Sequence, residues 1–121
     1  MNKEDITLVL GASPKHGRYS NIATIMLKEY GYKVYCVGRS IGEIEGTPIS
    51  TSWDTTVPIH TVTMYLSHEN QEPYKEMLFR GVKRVIFNPG SENYQLMNEL
   101  KERNIEVVLD CTLQMLRGGR Y

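Results

Sequence analysis

The stretch Gly11–Asn21, GASPKHGRYSN, gathers residue types that suit a bound phosphate. Gly11 and Ala12 allow a ligand close to the backbone, Ser13 and Ser20 carry hydroxyls, and Lys15 and Arg18 carry fixed positive charge. The stretch follows an apolar run and leads, through Ser20 and Asn21, into a helical pattern. The first N–H groups of such a helix have no partner within it, so they offer donors to an anion. The chemistry implied is recognition of a nucleotide-type cofactor. The loop lacks the full G-x-G-x-x-G pattern of a dinucleotide turn, and Pro14 removes one N–H where a pyrophosphate cradle would use it. Eight residues, Ala12 to Tyr19, separate Gly11 from Ser20, enough to surround a ligand rather than turn tightly beneath it.

A second group of residues bears on which nucleotide would fit. A site for NAD places a carboxylate roughly 20 residues past the glycine turn, where it accepts the ribose 2′-hydroxyl. Here that place reads Val37-Gly38-Arg39-Ser40, a cation and a hydroxyl in place of the acid. The pair suits a phosphate monoester on the ribose, as carried by NADP and by coenzyme A. Candidate catalytic groups are sparse. Cys111 lies beside Asp110, whose charge opposes the thiolate that reactivity requires. His16, His68 and Glu69 could be imagined as an acid–base set, yet no histidine or cysteine has metal-ligand spacing. A non-enzymatic chain is the expectation.

The elements that must position these residues alternate strand and helix. Strands are expected at Thr7–Leu10, Lys33–Val37, Thr61–Leu66, Arg84–Phe87 and Glu106–Leu109. Helices are expected over Ser20–Tyr30, from Pro73 to Gly81, and after Ser91, which reads as an N-cap. Ile22, Ile25 and Met26 read as the buried face of the first helix, and Tyr94, Met97 and Leu100 as that of the third. The connection Gly38–His60 is expected to hold a short strand at Thr47–Ser50 and one helical turn near Trp53–Thr56, with Trp53 over a sheet edge. The tail after Leu109 reads as a short helix that frays at Gly118–Gly119.

This alternation implies an α/β fold with three α/β/α layers around a five-stranded parallel sheet of order 3-2-1-4-5. The first strand would then lie at the switch point, where ligands bind outside the carboxyl ends of the strands. Those ends carry Gly11–Ser20, Gly38–Ser40, Leu66–Asn70, Asn88–Glu92 and Asp110–Thr112. The length of 121 residues suits one domain.

Fourteen basic and fourteen acidic residues cancel, so no broad positive field is available for nucleic acid or an anionic membrane surface. No apolar run approaches the ~18–20 residues of a membrane span. Two cysteines without a paired motif and an N-terminus without an apolar leader suit the reducing cytoplasm.

The chain resembles the small stand-alone CoA-binding proteins, a Rossmann-like family related to the N-terminal domain of succinyl-CoA synthetase alpha subunits. The resemblance spans Ile6 to about Met115. It rests on Gly11-Ala12-Ser13-Pro14, Gly31-Tyr32-Lys33-Val34-Tyr35, the Gly46–Ser50 segment, Asn88-Pro89-Gly90-Ser91-Glu92-Asn93 and Asp110-Cys111-Thr112. It implies that coenzyme A is bound through its ADP part at the strand carboxyl edge, with Gly11, Ser13 and Ser20 near phosphate. Arg39 is implied at the 3′-phosphate, and the Leu66-Ser67-His68 and Pro89-Gly90 loops as walls of the adenine or pantetheine path. Lys15 and Arg18 match a variable part of the loop. The synthetase's phosphorylated histidine lies on a further domain, so the resemblance implies binding without catalysis, in a carrier, sensor or regulatory module. Two alternatives stand beside it: an NADP-linked or thiol-dependent oxidoreductase, and a protein-interaction domain with a vestigial nucleotide site and an unidentified protein partner.

Overall fold

Short runs of valine, isoleucine and leucine build the sheet of the computed structural model, which describes residues Met1–Tyr121. In chain order the strands are β1 (Ile6–Leu10), β2 (Lys33–Val37), β3 (Gly42–Ile44), β4 (Thr47–Ser50), β5 (Thr61–Met64), β6 (Arg84–Phe87) and β7 (Glu106–Leu109). The helices are α1 (Tyr19–Glu29), α2 (Lys75–Leu78), α3 (Tyr94–Glu102) and α4 (Thr112–Arg117). Two single turns of 3₁₀-helix, His68–Asn70 and Glu72–Tyr74, lead into α2. Strand residues alternate between the two faces, as their period of two demands. Leu8, Leu10 and Val37 enter one core with Met64, Leu78, Phe87, Met97 and Leu100. Val9 and Cys36 enter the other, with Leu27 of α1 and Leu116 of α4. The result is the expected Rossmann-like α/β/α sandwich.

The sheet has seven strands rather than five, in the order β3-β4-β2-β1-β5-β6-β7. Thr47–Ser50, expected as a mere punctuation of the long connection, pairs in parallel with β2 at Cys36 and Val37. It therefore occupies the third-strand place of the 3-2-1 half. Thr61–Met64, expected there, instead pairs with β1 on the other side. β3, not foreseen as a strand, forms an antiparallel hairpin with β4. Its two-residue turn, Glu45-Gly46, has φ of 45° and 85°, the left-handed pair that matches the twist of a tight hairpin. The connections from β1 to β2 and from β4 to β5 leave in opposite directions, so β1 and β5 flank the switch point.

Several helix faces also differ from expectation. α1 lays its small residues, Ser20, Ala23 and Thr24 with Leu27, against the sheet, while Ile22, Ile25 and Met26 are half-buried along its flank. Small side chains let the helix axis approach the strands closely. The cap of α3 is Asn93, whose Oδ1 accepts from the Leu96 N–H at 3.1 Å; Ser91 is instead buried and donates its hydroxyl to the Asn88 carbonyl. Tyr94 is exposed. Trp53 is buried in the larger core, and the single turn beside it is closed by the Val57 N–H donating to Asp54 O at 3.1 Å, short of a helix. The tail does not fray: Tyr121 hydrogen-bonds Thr7 Oγ1 through its hydroxyl, and Arg84 Nη1 donates to its carbonyl at 3.0 Å. No helix is long and apolar enough to cross a membrane.

Candidate functional site

Three chain segments meet where β1, β2 and β5 end. The N–H groups of Gly11 and Ala12 both donate to the Val37 carbonyl, at 2.9 and 3.0 Å, which ties the end of β1 to the end of β2. The Tyr65 N–H donates to Leu10 O at 2.8 Å and draws in the end of β5. Glycine is required at two of these junctions. A Cβ on Gly38 would lie 2.1 Å from Ala12 O, and Gly11 has φ of 98° with the Leu66 N and Tyr65 C atoms 3.0 Å from a would-be Cβ. The close approach leaves a cleft of ≈ 600 Å³ outside the strand ends.

Nine of the sequence-derived candidates line this cleft: Gly11, Ala12, Ser13, Lys15, Arg18, Gly38, Arg39, Leu66 and Ser67. Its remaining lining comes from Pro14, Ser40, Tyr65, Asn70, Pro73 and Tyr74. The charge is one-sided. Lys15, Arg18 and Arg39 belong to none of the ion pairs, which join Lys33 to Glu4, Lys75 to Glu99 and Arg120 to Asp110, nor to the His60–Asp5 contact. No carboxylate lines the cleft. In a chain of zero formal net charge, three unpaired cations facing one concavity make a local positive potential.

The start of α1 reinforces that field. Arg18 is its N-cap in an extended conformation, with no side-chain cap and no acidic residue in the first turn. The N–H groups of Ser13, His16, Gly17, Tyr19 and Ser20 donate to no protein acceptor. Ser20 and Asn21 themselves do not line the cleft. Both are buried, and Asn21 Nδ2 donates to the Ser13 carbonyl at 3.0 Å, fixing the loop from behind. Ser13 Oγ accepts from the Lys15 N–H at 3.2 Å and shapes the turn that carries the first cation.

Pro89 and Gly90 are exposed and lie outside the cleft. Their loop is joined to it through Gln71, which is fully buried. Gln71 Nε2 donates to Leu66 O at 3.0 Å and to Ser91 O at 2.8 Å, while its Oε1 accepts from Asn93 Nδ2 at 3.0 Å. Gln71 thus holds the Leu66–Ser67 wall against the end of β6. Asn88 plays a similar part deeper in, donating to Thr63 Oγ1 and Met64 O and accepting from the Thr112 N–H.

Tyr65, Pro73 and Tyr74 were not foreseen in the site. Tyr65 lies inside the expected strand Thr61–Leu66, and Pro73 and Tyr74 read as the start and buried face of a helix. Only the fold reveals that the 3₁₀ turn Glu72–Tyr74 closes one side of the cleft. The Tyr65 hydroxyl is buried without a hydrogen-bond partner, and burial pushes its pKa upward. His68 and Glu69 sit in an exposed turn that lines a separate polar depression with Lys75 and Glu99. Cys111 is the half-buried N-cap residue of α4 and does not line the cleft, whereas Cys36 is fully buried. No group of three or more His, Cys, Asp or Glu side chains converges.

The family described as CoA binding domain matches residues 6–117. No curated protein matches the chain. Among solved structures, an uncharacterised protein is 40% identical with a TM-score of 0.94, over 99% of this chain and 100% of that one. A hypothetical protein from Pyrococcus horikoshii OT3 is 28% identical with a TM-score of 0.84, over 96% of this chain and 83% of that one. Prb, a protein redesigned for binding, is 25% identical with a TM-score of 0.83, over 98% of this chain and 84% of that one.

Proposed function

The chain belongs to the CoA binding domain family, and we propose that its cleft holds coenzyme A or an acyl-CoA by the ADP and phosphate portion. The observation that carries this reading is the charge of the cleft: Lys15, Arg18 and Arg39 line it unpaired, and no carboxylate does. Coenzyme A is strongly anionic in that portion, with a diphosphate and a ribose 3′-phosphate. Lys15, Arg18 and the unpartnered N–H groups at the start of α1 meet the diphosphate. Arg39 meets the 3′-phosphate, for which its planar fork of donors is suited. Gly11, Ala12, Ser13 and Gly38 form the backbone floor, and Leu66 and Ser67 form a wall for the adenine or pantetheine. The family supports coenzyme A and lends nothing to NADP or to an oxidoreductase. The protein acts as a carrier, sensor or regulatory module, presenting or reporting the bound thioester without transforming it.

Calorimetric titration with coenzyme A, acetyl-CoA, dephospho-CoA, NADP and NAD tests the reading. Binding of the coenzyme A species, weaker for dephospho-CoA by roughly tenfold, is expected, since one charge-assisted contact contributes about 1.5–3 kcal/mol. The gap between coenzyme A and dephospho-CoA should close in Arg39→Ala. Binding of NADP alone, or of no ligand, overturns it.

A further inference from the structure

At the opposite, amino-terminal edge of the sheet lies a second cavity of ≈ 610 Å³, between the 53–60 connection and the turn from α2 to β6. It shares no lining residue with the first. Trp53, Ile59 and Val82, all buried in the larger core, form its apolar floor, and Val57 and Met77 extend the wall. Its rim carries both signs of charge, on opposite lips. Glu4 is held by Lys33 at 2.8 Å. Asp5 accepts from the Asn2 N–H at 2.9 Å and faces His60 Nε2 at 3.9 Å. Arg80 and Lys83, on the other lip, make no side-chain hydrogen bond and no ion pair.

We propose that this cavity is a second ligand site, taking a small amphipathic anion: an apolar body against Trp53, Ile59 and Val82, and a carboxylate head at Arg80 and Lys83. Its volume lies within the ~300–1,000 Å³ of small-molecule sites. An apolar body gains by covering the indole and aliphatic floor, and a carboxylate gains two cations that no protein group competes for. A cationic head at the Arg80–Lys83 lip would meet like charge. A medium-chain or aryl carboxylic acid fits these demands, and a free amine or neutral alcohol of the same body does not.

Amide shift mapping of the whole chain with octanoate, octylamine and octanol separates these cases. Octanoate should shift amides within 53–60 and 77–83 and leave the loop around Gly11–Arg18 unmoved. Arg80→Gln/Lys83→Gln, exposed positions that leave the core intact, should weaken octanoate by at least roughly tenfold, the size of one lost charge-assisted contact. Coenzyme A binding by that variant, expected to be unchanged, reports that it is folded. Equal binding of octylamine or octanol, shifts confined to other regions, undiminished affinity in the variant, or no shifts at all would each overturn the proposal.

Discussion

Adding one methyl group at Gly38 tests how the cleft is built. The Cβ of Gly38→Ala would lie 2.1 Å from Ala12 O and 3.1 Å from its carbonyl carbon. Ordinary carbon–oxygen contacts begin near ~3.3 Å, so the two segments must part by about 1 Å. They are joined by the hydrogen bonds from the Gly11 and Ala12 N–H groups to Val37 O, and parting weakens both. Overpacking of this kind costs ~1–3 kcal/mol, and each weakened hydrogen bond about 0.5–1.5 kcal/mol. A total of about 2–6 kcal/mol corresponds to a melting temperature lower by on the order of 10–20 °C in a domain of this size. Because the same segments carry Ser13, Lys15 and Arg39, coenzyme A affinity measured on the folded variant should fall at least roughly tenfold. Gly46→Ala supplies the control. Gly46 has φ of 85° but open space around its Cβ position, so that variant bears only left-handed strain, about 1–2 kcal/mol, and keeps its affinity. Urea denaturation and calorimetry of both variants decide the matter. If Gly38→Ala is no more costly than Gly46→Ala, the close approach is not what shapes the cleft.

Gln71→Leu should cost about 2–3 kcal/mol in urea denaturation, because Leu66 O and Ser91 O lose a buried donor, and should weaken coenzyme A by moving the Leu66–Ser67 wall. Raising salt from low to physiological strength should weaken coenzyme A binding, and Lys15→Ala/Arg18→Ala should flatten that dependence in parallel titrations. Burial pushes the Tyr121 phenol up to about 12, so its neutral form stabilises the native state fully below pH 10. That contribution is lost as pH rises from about 10 through about 12, roughly 2–3 kcal/mol in all, and Tyr121→Phe should show a shallower alkaline loss when unfolding is followed from pH 8 to 12.

The layered architecture and the loops at the strand ends were legible because each rests on a local signal. β1, β2 and β7 read as β-branched or aromatic runs, and Gly11 and Gly38 mark where backbone approaches backbone. The places where reading failed are those where tertiary contact decides. Ile22 and Met26 are more apolar than Ser20 and Thr24, yet α1 turns its small side chains to the sheet, since distance to the strands outweighs hydropathy there. Thr47–Ser50 is too short and proline-containing to announce a central partner for β2, although Glu45-Gly46 beside it is a recognisable tight-turn pair. Tyr74 illustrates the same limit at the site. Its spacing suits a buried face, and only the 3₁₀ geometry of Glu72–Tyr74 brings it to the cleft.

Size does not separate the two cavities, for ≈ 600 and ≈ 610 Å³ are nearly equal. Chemistry does. The carboxyl-edge cleft is polar, wrapped in glycine backbone, uncapped helix amides and three free cations, and so is matched to the most highly charged portion of a nucleotide. The amino-edge cavity has a floor continuous with the hydrophobic core and two free cations only at its lip. Exchanging charge therefore has opposite consequences at the two ends. Arg39→Glu should abolish coenzyme A binding and leave octanoate untouched, whereas Arg80→Glu should do the reverse. Parallel titration of both ligands against both variants gives a crossed pattern if each site is defined by its own unpaired cations. Loss of both ligands in either variant would mean that one anion site serves them, and that the separation of the cavities across the sheet has no functional content.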